Sequence, residues 1–159
     1  MSKTVKFLRI VCYVMLALIP LWVTFYGIQS YYVLTTGSGE GVINWGSPNI
    51  GLKVTMFIVH RIALLTMAGI FAAFIINILR YLNDGTIFNR ANVTLLWIMV
   101  CVLPIYSFLS DNMSIACSSS AHGEIVLTDN FFLYPLVALI IAFLYKIAYD
   151  VAEEQKLTI

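Results

Sequence analysis

The stretch Ile62–Leu79, IALLTMAGIFAAFIINIL, carries no charged side chain and is bracketed by Arg61 and Arg80. At 1.5 Å of rise per residue, a helix of this length runs about 27 Å, close to the ~30 Å hydrocarbon core of a bilayer. Such a helix is apolar on every face and has no polar side to offer water. The stretch therefore reads as the core of a membrane span within the longer apolar run Val54–Leu82. Three more runs surround it: Ile10–Ile28, Val93–Ser110 and Phe131–Tyr149. We expect an all-α polytopic membrane protein, an up-down bundle of four transmembrane helices forming a single domain over residues 1–159, with spans at about 8–28, 54–82, 93–111 and 131–150.

Composition agrees. Of the 159 residues, 61% are hydrophobic and 11% charged, with a mean hydropathy of +0.92; soluble domains are about 45–50% apolar and about 25% charged. This excludes an ordinary cytosolic enzyme, a disordered chain and direct nucleic-acid binding. Lys3, Lys6 and Arg9 precede the first run, as in a secretory signal, but the run exceeds the usual ~7–15-residue signal core and no A-x-A-like site follows, so it reads as a retained anchor. Pro20, in mid-run, is expected to kink the helix. Cys12, Cys101 and Cys117 form neither a disulfide framework nor a zinc pattern.

The charges set an orientation. With four spans, Lys3, Lys6, Arg9, Arg80, Arg90, Lys146 and Lys156 fall on one side and only Lys53 and Arg61 on the other, with Glu40, Asp111, Glu124 and Asp129. The positive-inside rule then places both termini in the cytoplasm. Residues 29–53 read as an outer loop, in which Tyr31, Tyr32 and Trp45 suit the headgroup level and 42–48 forms a short strand or an interfacial turn. Residues 111–129 read as a second outer loop, and 83–92 as a tight inner turn in which Asn89 or Asn92 caps the third span.

Two inner segments, Asp84-Gly85-Thr86-Ile87-Phe88-Asn89-Arg90-Ala91-Asn92-Val93 and the tail Ala148–Ile159 with its Leu157-Thr158-Ile159 end, resemble the DUF2975 family of small bacterial membrane proteins. That family has a Gly-x-Ile-Phe-x-x-x-Asn-Val turn and a terminal Leu-Thr-Ile/Val tail. The tail departs from the family at Tyr149-Asp150-Val151-Ala152, which stands where the family often has a Phe-Arg-x-Gly-like step. The resemblance covers the four-span layout and implies a multi-pass protein of the bacterial cytoplasmic (inner) membrane. Family members are often encoded beside a small helix-turn-helix regulator, so the resemblance implies such a regulator as a partner. It points to Phe88, Asn92, Glu153, Glu154, Leu157, Thr158 and Ile159 as candidate partner-binding residues, in a non-enzymatic interaction or regulatory module using turn 84–92 and tail 150–159.

The alternative is a small transporter, channel subunit or sensor built on intramembrane polar residues: His60, Arg61, Asn77 and Asp111. Ionisable groups inside spans are functional candidates by default. Arg61 and Asp111 are expected at similar depth and are candidates for an interhelical pair; the competing expectation is that Arg61 snorkels to the outer interface. Asn77 needs a helix-to-helix hydrogen bond in lipid. Gly69 and Ala73 make a small-x-x-x-small pair that would admit another helix, and Lys146 and Asp150, four apart, form a local ion pair. Transport through four short helices would call for a homo-oligomer. Catalytic, cofactor and metal sites are not expected: Ser118-Ser119-Ser120-Ala121-His122-Gly123-Glu124 sets Ser, His and Glu close in sequence, whereas triads assemble from distant segments.

Overall fold

The computed structural model describes residues 3–35, 43, 45–82, 87–117 and 124–157. Among them there are five helices and no strand: α1 Lys3–Thr35, α2 Ile50–Tyr81, α3 Arg90–Asp111, α4 Met113–Cys117 and α5 Asp129–Leu157. The four long helices are each long and apolar enough to cross a membrane. The chain is an all-α, multi-pass membrane protein.

The helices outrun the expected spans. α1 continues through Gln29 to Thr35, where the sequence suggested a loop. Polar residues here do not end the helix, because Ser30 Oγ donates to Tyr26 O (2.6 Å) and Thr35 Oγ1 to Tyr31 O (2.7 Å), so their hydroxyls bond back into the preceding turn. Tyr31 and Tyr32 are therefore helical. The terminal carbonyls of α1 are taken up from beyond it: Ile43 N donates to Val33 O and the Trp45 indole to Leu34 O. Residues 45–49 turn rather than extend, while Val42 and Asn44 lie outside the described residues. Asn49 then adopts a left-handed φ of 58°, which Asn tolerates, and α2 starts at Ile50, so that Lys53 is a buried helical residue. α1, α3 and α5 run without interruption across Pro20, Pro104 and Pro135.

Successive long helices are antiparallel. The end of α1 meets the start of α2 (Gln29 with Arg61), the start of α2 meets the end of α3 (His60 with Tyr106), and the end of α3 meets the start of α5 (Asp111 with Thr128). The start of α1 and the end of α5 therefore share one end of the molecule with the turn before α3. The packing order is α1–α2–α3–α5, with α3 held between α2 and α5, and α1 lying against α2 alone. The result is an open row of helices. Among the described residues α2 supplies half of the buried apolar side chains (Phe57, Ala63, Leu64, Met67, Ala68, Ile70 and Ile75), whereas α1 buries only Cys12 and α5 only Ala142. The exposed apolar faces of α1 and α5 suit lipid contact. Gly69 is exposed, and a Cβ built on it would meet nothing within 4 Å, so among the described residues no helix packs closely on it.

Candidate functional site

Two polar assemblies lie at opposite ends of the helix row. At the end with the termini, Asn89 is the N-cap of α3. Its extended backbone (φ −136°, ψ 154°) lets Oδ1 accept from Asn92 N at 2.9 Å, which selects Asn89 over Asn92 as the capping residue. Asn92, released from capping, turns inward and is fully buried. Its Oδ1 accepts from Asn77 Nδ2 of α2 (2.9 Å), and its Nδ2 donates to the Tyr145 hydroxyl of α5 (3.1 Å). Tyr145 O–H donates in turn to Ile87 O (2.7 Å), which also accepts from Asn89 Nδ2 (3.3 Å). Phe74 and Phe88 pack their rings on Tyr145, with centroids 5.5 and 5.2 Å away. Consecutive hydrogen bonds in a low dielectric polarise one another. This chain of bonds ties α2, α3, α5 and the residues before α3 into one unit.

At the other end, α1, α2, α3 and α4 gather around Arg61. Its guanidinium carbon sits 4.8 Å from the Phe57 ring centroid and 5.4 Å from that of Tyr26. Nη2 donates to Gln29 Oε1 over a long 3.4 Å, while Nε and Nη1 are buried without a hydrogen-bond partner. His60, one step round the helix, is only 6% exposed and stacks on Tyr106 at 5.0 Å and 19°. Both of its ring nitrogens are buried and unpartnered. The charge of Arg61 also reaches α4: burial pushes the Cys117 thiol up from its ordinary value, and the guanidinium pulls it part of the way back.

The expected Arg61–Asp111 pair is not formed. Arg61 turns to Gln29 and the rings, and Asp111 accepts from Thr128 Oγ1 at 2.6 Å. Two of the Arg61 nitrogens are buried, so the guanidinium is held among the helices. Asn77 lies sixteen residues further along α2, about 24 Å away at 1.5 Å per residue, so Arg61, Asp111 and Asn77 do not converge on one site. Asn92 is corrected as a partner-binding residue, because a side chain with no exposed surface cannot be touched by a soluble protein; its place is inside the assembly. Phe88 is 39% exposed, Glu153 half-buried and Glu154 exposed near the end of α5. Leu157 closes α5, while Thr158, Ile159, the turn residues 83–86 and the Ser/His stretch 118–123 lie outside the described residues. Lys146 Nζ pairs with Asp150 at 2.6 Å, as the four-residue spacing suggested. Among the described residues no group of three or more His, Cys, Asp or Glu is placed to hold a metal ion.

One polar residue escaped the sequence reading. Asn112, which fell within the expected outer loop 111–129, is 1% exposed and caps α3. Its Nδ2 donates to Phe108 O and Val126 O, and its Oδ1 accepts from Val126 N, each at 2.8 Å. The side-chain amide thereby pairs with the backbone of 124–128 as a strand neighbour would. An Asn immediately after an apolar run is a helix-end signal that could have flagged it.

A scan against protein-family models, a search of curated proteins and a search of solved structures each returned no match to this chain.

Proposed function

We propose that the chain is a non-enzymatic interaction or regulatory module of the bacterial cytoplasmic membrane, oriented with both termini inside, and that it engages a soluble partner through the turn before α3 and the end of α5. The observation that carries this reading is the Asn77–Asn92–Tyr145–Ile87 hydrogen-bond chain, which couples the turn to the helix bearing the tail. Phe88 and Val151 offer exposed apolar contacts at that end, and Glu154 an exposed acid. The partner implied by the resemblance is a small helix-turn-helix regulator. The excess of basic residues at this end supports the inward orientation.

Truncation after Asp150 tests the reading. Co-expressed with a small helix-turn-helix regulator, the full chain is expected to retain that regulator through purification and the truncated chain to lose it. Equal recovery from both would count against the tail as a docking element. Reporter fusions test the orientation: a cytoplasm-dependent fluorescent protein should be active at either terminus and inactive when inserted at 122.

A further inference from the structure

The Arg61 assembly is not used by the proposed docking end, yet it holds a charge to which no described residue brings a counter-charge. Among the described residues no carboxylate lies within salt-bridge distance of Arg61, and its single acceptor is a neutral amide oxygen at 3.4 Å. A charge-assisted bond from a guanidinium to an oxyanion is shorter, at about 2.7–2.9 Å, and roughly twice as strong. Close by, His60 is only 6% exposed, with no hydrogen-bond partner on either ring nitrogen. Whichever nitrogen carries a proton is a donor in want of an acceptor. Leaving such groups unsatisfied is costly in a low dielectric.

Depth narrows the ligand. The uncharged stretch 62–79 matches the hydrocarbon thickness, so Arg61 and Arg80 mark its two boundaries. A group held at Arg61 sits where hydrocarbon gives way to headgroups, the level of phospholipid phosphates. The site is also built by more than one element: Tyr26 and Gln29 come from α1, Phe57 and His60 from α2, and Tyr106 from α3. Two rings flank the guanidinium, and Nε and Nη1 are left without an acceptor.

We propose that Arg61, with His60 beside it, is a binding site for a phosphate-type oxyanion at the membrane boundary. The phosphate displaces the long Gln29 contact and supplies the acceptor that the guanidinium lacks. It is drawn from a lipid headgroup or from free phosphate in the adjoining water.

The test uses the full-length protein, stripped of lipid in an uncharged detergent. Thermal unfolding and equilibrium binding are measured with inorganic phosphate, with phosphatidylglycerol, and with diacylglycerol of the same acyl chains. Stabilisation by phosphatidylglycerol alone assigns the site to a headgroup; stabilisation by inorganic phosphate assigns it to the free ion. In either case Arg61→Gln should weaken binding about ten- to a hundredfold, while Arg80→Gln at the opposite boundary leaves it unchanged. Should Arg61→Gln fail to fold, Arg61→Lys is read instead and should bind phosphate more weakly than the parent, since an ammonium lacks the guanidinium fork. The proposal is overturned if diacylglycerol stabilises as well as phosphatidylglycerol, if neither phosphate probe binds the parent, if the Arg61 variant binds as the parent does, or if Arg80→Gln loses as much as Arg61→Gln.

Discussion

Asn92 is the residue on which the terminal end of the molecule depends. Both halves of its amide are used, by Asn77 and by Tyr145, and its backbone N–H is held by Asn89. Asn92→Leu should therefore destabilise the protein by about 1–3 kcal/mol, because it takes the acceptor from half-buried Asn77 and a donor from the Tyr145 hydroxyl; unfolding in a denaturing detergent series would measure this. Asn77 announced its need for a bond by sitting deep in an apolar run, but a sequence cannot say which helix answers. Cys117 offers a second test at this scale. Its thiol is raised by burial and drawn back by Arg61. Removing that positive charge in Arg61→Gln should raise the thiol further, leave less thiolate at neutral pH, and slow maleimide labelling of Cys117 in a Cys12→Ser/Cys101→Ser background.

Individual helices owe their limits to side-chain chemistry that periodicity does not display. α1 passes its expected end because Ser30 and Thr35 spend their hydroxyls on the previous turn. α3 starts at a genuine cap, and Asn89→Ala should cost about 0.5–2 kcal/mol by freeing the Asn92 N–H. Its other end is Asn112. Asn112→Ala removes all three bonds that hold Phe108 and Val126, and should release 124–128 to proteolysis while α3 itself persists. Limited proteolysis in micelles would show new cleavage confined to that segment. The spans themselves were legible, because twenty or so apolar residues admit few alternatives. The connection 111–129 was less so: α4 and the Asn112 bridge arise from contacts local composition does not encode.

Across the whole molecule, the two polar assemblies are separated by about half the length of α2. Arg61→Gln and Asn92→Leu share no partner, so their effects on stability should add to within about 0.3–0.5 kcal/mol. A larger coupling would mean that the helix row transmits between its ends, which a double-mutant cycle would detect. The row is open, with α1 resting on α2 alone. That arrangement leaves α1 the helix with least intramolecular hold, and its exposed faces are apolar almost throughout.

Solvent, span number and alternation were determined by the sequence alone, since each follows from one-dimensional quantities: apolar length against bilayer thickness, and the side on which each charge falls. Tertiary structure decided the partners. Arg61 and Asp111 look like a pair when depth is judged along the chain, but helix rotation and the order α1–α2–α3–α5 give each a different neighbour. A side chain's partner depends on which face of its helix meets which other helix. Uniformly apolar spans carry too little asymmetry to encode that before they pack.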